Sequence, residues 1–242
     1  MDTIENRLQA VKSRIASACR RLGRDPRDIV LVAVAKGFPA ADIRAAHAAG
    51  QRDFGENQVQ EALAKVAALA GCDLVWHFIG PLQSNKTRAV AEHFDWVHSI
   101  DRLKVAERLA AQRPAGLTPL QACVQVNVSG EASKSGVAPA EAPALAHAVA
   151  ELPRLRLRGL MTIPEPSPDA ALVRRRFDAL AALKERLARE GLALDTLSMG
   201  MSDDLELAIA AGATMVRVGT AIFGPRVASR ATAAERRIGN PR

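Results

Sequence analysis

The sequence contains no tyrosine, and phenylalanine and tryptophan together bring its aromatic content to only 3%. A chain so poor in rings offers no stacking platform of the kind that single-strand nucleic-acid binders use. Cysteine is scarce as well: Cys19, Cys72 and Cys123 lie far apart and are odd in number. With no Cys-x-x-Cys pair, they suggest neither a disulfide framework nor a zinc site. The five histidines, His47, His77, His93, His98 and His147, lack metalloprotease spacing, so no metal is expected. His77 and His98 fall at or near strand ends, where a pocket role is open, although a satisfied structural histidine is the plainer reading. No stretch approaches the roughly 18 uninterrupted apolar residues that a membrane helix needs. The opening residues, Met1-Asp-Thr-Ile-Glu-Asn-Arg7, lack the basic-then-apolar order of a signal peptide, and a cytoplasmic protein with no membrane partner is expected.

Positive charge is in surplus, with a formal net charge of +7. It is spread over helices and mixed with acidic residues, as in Lys184-Glu-Arg-Leu-Ala-Arg-Glu190. The clusters Arg174-Arg-Arg176 and Arg236-Arg237 read as solvated helix faces or a loose tail. Without aromatics, any nucleic-acid contact would be purely electrostatic and salt-sensitive, so no nucleic-acid partner is expected.

What the chain has is alternation. Its 242 residues, 48% of them hydrophobic, can bury a full core as one domain. An amphipathic helix from about Ile4 to Leu22 carries Ile4, Leu8, Val11 and Ile15 on one face. Strand candidates follow at Ile29–Ala35, Arg52–Phe54, Leu74–Ile79, Trp96–Ser99, Leu120–Val128, Arg156–Thr162, Thr196–Met199 and Met215–Val218. Alanine-rich helical segments separate them, at Ala40–Ala49, Val59–Ala70, Asn85–His93, Arg102–Gln112, Pro139–Leu152, Asp169–Glu190 and Asp203–Ala211, and a helix can begin again beyond Gly219. Strands alternating with helices pair in parallel through right-handed crossovers. Eight of them in a chain of this length predict an α/β fold: a single closed (β/α)8 TIM barrel with an extra N-terminal helix. The competing open doubly wound sheet lacks a Gly-x-Gly-x-x-Gly after the first strand. Residues 1–226 are therefore expected to form the barrel, with 227–242 as a flexible C-terminal tail.

Lys36 follows the apolar run Ile29–Ala35 and precedes Gly37. Strand C-terminal ends are where α/β proteins place their chemistry. A lysine at such a rim is a candidate amine nucleophile, since desolvation favours its neutral form. The alternatives are a snorkelling lysine or a plain phosphate contact. Two anion-holding loops are predicted on the same rim. After strand seven, Ser198-Met-Gly-Met-Ser202 leads into Asp203-Asp204, with Ser202 at or near a helix N-cap. After strand eight, Gly219 and Thr220 can present amides and a hydroxyl. In a closed barrel strand eight neighbours strand one, which brings this cradle beside Lys36. Strand parity turns Arg217 inward, where it needs an acceptor. A pyridine nitrogen and a core carboxylate are both open as that acceptor. An amine, a phosphate cradle and a partner for a ring nitrogen are the parts of a pyridoxal 5′-phosphate (PLP) site.

The segments Leu31-Val-Ala-Val-Ala-Lys36, Phe54-Gly-Glu-Asn57, Trp76-His-Phe-Ile-Gly-Pro-Leu-Gln-Ser-Asn-Lys86, Lys134-Ser-Gly136, Arg158-Gly-Leu-Met161, Met199-Gly-Met-Ser-Asp203 and Arg217-Val-Gly-Thr-Ala-Ile-Phe-Gly224 occur in this order. Together they resemble the YggS/PROSC family of pyridoxal phosphate homeostasis proteins over nearly the whole chain. The resemblance implies the barrel domain of alanine racemase, with Lys36 carrying the cofactor as a Schiff base. It implies that Ser202, Gly219 and Thr220 hold the phosphate, that Arg217 faces the pyridine nitrogen, and that Asn57 lines the pocket. The family often has Ser-Lys-Thr where this chain has Ala35-Lys36-Gly37, and an aromatic residue where it has Gln58.

What the resemblance implies for function is intracellular binding, buffering and delivery of PLP by a monomer, with no established catalytic activity. Transient contact with apo PLP-dependent enzymes would follow, although the sequence does not say which. A weak PLP-dependent racemase or lyase is the alternative, and a lysine aldolase on a phosphosugar ranks third. A two-base alanine racemase uses a tyrosine from a second domain, and this chain has neither the tyrosine nor residues for that domain. A nitrogen facing Arg217 would also stay unprotonated, which weakens the ring as an electron sink. Cys123 or His77 would have to stand in for the tyrosine, while Lys134, after strand five, is a candidate for helping cofactor exchange.

Overall fold

A computed structural model describes residues 3–131 and 135–225. Eight parallel strands close in sequence order: β1 (Val30–Val34), β2 (Asp53–Glu56), β3 (Val75–Phe78), β4 (Trp96–Ile100), β5 (Leu120–Gln125), β6 (Leu155–Met161), β7 (Thr196–Ser198) and β8 (Met215–Val218). Closure runs through the β1–β8 ladder, with Val30 opposite Met215 and Ala33 opposite Val218. The α/β barrel expected from the alternation is therefore the fold. The proposed tail, 227–242, and Lys134 both lie outside the described residues.

The helices are α1 (Ile4–Arg21), α2 (Ala40–Ala48), α3 (Val59–Ala68), α4 (Thr87–His93), α5 (Leu103–Gln112), α6 (Ala142–Ala150), α7 (Ala170–Arg189), α8 (Leu205–Ala210) and α9 (Thr220–Phe223). Helix α1 begins where the Thr3 hydroxyl accepts the Asn6 amide, and it buries Leu8, Val11, Ile15, Ala18 and Cys19. These residues seat it against α2, α8 and α9, so the extra helix lies over the junction between the last and first βα units.

Several boundaries differ from the sequence expectation for local reasons. Strand β1 stops at Val34, and Lys36 lies in the following turn, closed by a hydrogen bond from the Phe38 amide to the Ala35 carbonyl (3.1 Å). Gly37 takes φ 77° there, a conformation that favours glycine. Helix α8 starts at Leu205 because the Asp204 carboxylate turns back to accept the Met201 amide (2.5 Å). Strand β5 ends at Gln125, and among the described residues beyond it Val126 forms an isolated bridge with Val137.

Inside the barrel, a polar chain replaces part of the usual branched-apolar filling. Arg217 Nη1 donates to Ser198 Oγ (2.6 Å), which also meets His98 Nδ1 (2.8 Å). His98 Nε2 lies 3.0 Å from His77 Nδ1, and His77 Nε2 lies 3.0 Å from Asp53 Oδ1. Each link is satisfied if every member donates to the next, from guanidinium to carboxylate. The two histidines are thus hydrogen-bonded members of the core, as the plainer reading of them had it.

Candidate functional site

A cavity of about 560 Å³ opens at the C-terminal ends of the strands. It brings together Lys36, Asn57, Ser202, Arg217, Gly219 and Thr220, residues spread over more than 180 positions of sequence. The loops after β1, β2, β7 and β8 supply four of them, Thr220 begins α9, and Arg217 reaches in from β8 itself. Their convergence follows from barrel closure, which sets the loop after β8 against the end of β1. Gly219 marks how close that approach is: a Cβ added there would lie 3.1 Å from the Val34 carbonyl oxygen.

The cavity has three chemically distinct sectors. On one wall Lys36 is half-buried and its Nζ donates no hydrogen bond among the described residues, so the amine is available. On another, the amides of Ser202, Gly219 and Thr220 find no acceptor among the described residues. Unpaired amides beside two hydroxyls are a receptor for phosphate oxygens. Ser202 does not itself cap α8, since Asp204 occupies the N-cap two residues later. Its hydroxyl and amide are left for the cavity.

At the floor lies Arg217, which is 3% exposed. Its Nη2 donates to the Thr162 carbonyl (2.9 Å) and its Nη1 to Ser198. A hydroxyl and a carbonyl thus hold it in place, where a core carboxylate had been one expectation. Burial pushes its pKa down to about 10, so it remains charged near neutrality. Two of its five N–H donors are used in these bonds, which leaves others for whatever the cavity holds.

Sequence reasoning missed Arg14 of α1, which also lines the cavity. Its Nε and Nη2 grip the two carboxylate oxygens of Glu206 (both 2.9 Å), while Nη2 also donates to the Ser202 carbonyl (2.9 Å). The extra helix therefore ties down the Ser202 loop and places a second guanidinium, paired with Glu206, at the cavity. Against Arg14, Lys36 and Arg217, one carboxylate, Asp203, lines the cavity. The signal available in the sequence was an arginine three residues after Val11, off the apolar stripe of α1.

Neither candidate replacement for a tyrosine lines the cavity. Cys123 is fully buried, and desolvation pushes its thiol up to about 12, which makes it a poor proton carrier at neutral pH. His77 is held between Asp53 and His98. Among the described residues, no group of His, Cys, Asp and Glu side chains could hold a metal ion. No helix of the described residues is long and apolar enough to cross a membrane.

Residues 7–227 match the family model for the alanine racemase N-terminal domain. The chain is 62% identical over 226 residues to the pyridoxal phosphate homeostasis protein of Pseudomonas aeruginosa, covering 93% of this chain and 97% of that one. It is 55% identical over 233 residues to the protein of the same name from Escherichia coli K12, covering 93% and 98%. Among solved structures, it superposes on PipY of Synechococcus elongatus with PLP bound at a TM-score of 0.81 and 41% identity, covering 92% of this chain and all of that one.

Proposed function

Since this chain belongs to the alanine racemase N-terminal-domain family, and within it to the pyridoxal phosphate homeostasis proteins, we propose that it binds PLP and holds it in reversible reserve for other proteins. The observation that carries this reading is the joint presence, around one cavity, of a free amine, unpartnered amides and a buried guanidinium. PLP presents an aldehyde, a phosphate and a pyridine nitrogen, and each meets one of these sectors. When bound, the cofactor supplies an aldehyde that condenses reversibly with amines.

In this reading Lys36 would hold the cofactor by its aldehyde carbon, through a reversible Schiff-base link to Nζ. Ser202, Gly219 and Thr220 take the phosphate oxygens through amides and hydroxyls, and Arg14 adds charge at that end. Arg217 donates toward the ring nitrogen and keeps it unprotonated, while Asn57 borders the ring. Residues 1–226 would be the binding unit. We further propose a monomer in the cytoplasm, supported by a cavity built within one chain and by three unpaired cysteines. Recipients would be apo forms of PLP-dependent enzymes, met transiently.

Borohydride reduction of the PLP-saturated protein, followed by peptide mass mapping, tests the assignment. A pyridoxyl adduct on the Lys36 peptide, absent in Lys36→Ala, is the expected result. A protein that saturates with PLP yet leaves the Lys36 peptide unmodified would refute it.

A further inference from the structure

Lys36 is flanked by two peptide groups that are both held from the same helix. On its N-terminal side, the Ala35 carbonyl accepts a hydrogen bond from Lys65 Nζ (2.7 Å). On its C-terminal side, the Gly37 amide donates to Glu61 Oε1 (2.6 Å). Lys65 and Glu61 are themselves paired across one turn of α3 (2.5 Å), and Lys65 also binds Glu56 Oε1 on β2 (2.7 Å). The three N–H bonds of Lys65 are thus used up, two on carboxylates and one on the backbone beside Lys36. Lys65 is 6% exposed and Glu56 is 0% exposed, so the cluster is part of the interior.

We propose that Glu56, Lys65 and Glu61 form a brace that positions the Lys36 amine for capture of its aldehyde, by fixing the peptide groups on either side of it. Buried charges are a poor way to gain stability, because apolar side chains of similar volume in place of the whole cluster would pack without its desolvation cost. What an apolar residue would not do is hold two peptide groups of one turn at once. The cluster is also unevenly satisfied. One ammonium shared between two carboxylates neutralises only one of them, and Glu56 Oε2 has no partner among the described residues. Burial accordingly holds the Glu56 pKa up to about 7, whereas Glu61, bonded to both Lys65 and the Gly37 amide, is lowered.

This inference rests on the assignment of Lys36 as the cofactor lysine, and its test keeps the two apart. Lys65→Met and Glu61→Ala would be made in the full chain and compared with the parent protein. Four readouts are the rate of PLP capture by stopped-flow absorbance, borohydride trapping on Lys36, and, without cofactor, hydrogen exchange of the Gly37 amide and the melting temperature. We expect Gly37 exchange to accelerate at least tenfold in both variants. Capture should slow at least fivefold in Lys65→Met, the adduct still forming on Lys36 at long times, and the melting temperature without cofactor should fall, because the buried Glu56 loses its donor. Lys65→Arg, which keeps the charge and its donors, should recover part of the rate. A folded Lys65→Met that captures PLP within twofold of the parent rate overturns the brace. If Lys65→Met does not fold, the half-buried Glu61→Ala decides alone by the same two rates. Failure of the parent protein to form the Lys36 adduct would instead overturn the assignment beneath it, while the exchange readout would still report on the brace.

Discussion

At Gly219, a single hydrogen in place of a methyl group lets the chain after β8 lie against the end of β1. The Cβ of an alanine would press on the Val34 carbonyl oxygen at 3.1 Å, tighter than ordinary contact, and the loop would have to move away from β1. Gly219→Ala should weaken PLP binding about tenfold, on the order of 1.4 kcal/mol, with a small change in melting temperature, as read by isothermal titration. Arg14 makes a parallel case. Its pair with Glu206 is about a third exposed on both sides and contributes little stability, on the order of 0–1 kcal/mol. Arg14→Ala should therefore leave the melting temperature nearly unchanged while loosening the Ser202 loop. The PLP affinity should fall severalfold and become less sensitive to added salt; unaltered affinity and salt dependence would remove Arg14 from the site. These two residues also mark what a sequence can disclose. Gly219 was legible only through its placement: alone it reads as an ordinary turn glycine, but after strand eight of a closed barrel it stands beside the end of strand one. Arg14 was not, because the periodicity of α1 fixes its buried stripe and leaves the destination of its polar face to tertiary packing.

The strands and helices were legible as an alternation, and closure followed from counting eight strands. Their ends were less so, because side-chain hydrogen bonds override the apolar pattern locally. Asp203 and Asp204 read as the first turn of a helix, yet Asp204 spends its carboxylate on Met201 and delays α8 to Leu205. The single residue between the end of β1 and Lys36, Ala35, arises in the same way, from a turn that Lys65 and Glu61 of α3 hydrogen-bond on both sides of Lys36. A stricter constraint acts between β6 and β7, where Gly159 pairs with Thr196. An added Cβ at Gly159 would overlap the Thr196 carbonyl, a backbone group that cannot swing aside. Gly159→Ala must therefore push the two strands apart. It should cost about 1–3 kcal/mol or more of stability, seen as a lower urea midpoint; a midpoint equal to that of the parent would mean the barrel tolerates a wider seam than its ladder implies.

Across the whole barrel, two buried groups titrate in opposite senses over the same pH window, and their balance sets its acid behaviour. His98, fully buried beside Arg217 and His77, has a pKa held well below its ordinary 6.5. The unfolded chain takes up its proton first as pH falls, so the stability His98 contributes is complete above pH 6.5 and is lost below it. Glu56 runs the other way. Its folded pKa of about 7 lies above the ordinary 4.5, so the stability tied to its neutral form is complete below pH 4.5 and is lost as pH rises through 7. The groups facing Glu56 are Lys65 and Glu61 from α3 and Lys36 from the turn. Between about pH 4.5 and 6.5, one proton gained by the unfolded chain is offset by one already held in the folded barrel, and stability should be nearly flat. Each single variant removes one side of that balance. In Glu56→Gln, stability should fall on acidification through this window with a slope of up to about 1.4 kcal/mol per pH unit. In His98→Gln it should rise with a slope of the opposite sign. The lowered carboxylates Glu61, Asp195 and Glu206 withdraw their stability only below their ordinary pKa values of 3.8–4.5, so they leave the window clear. Urea unfolding at half-unit pH intervals measures all three slopes, and parallel curves for the parent and both variants would show that neither group carries the linkage.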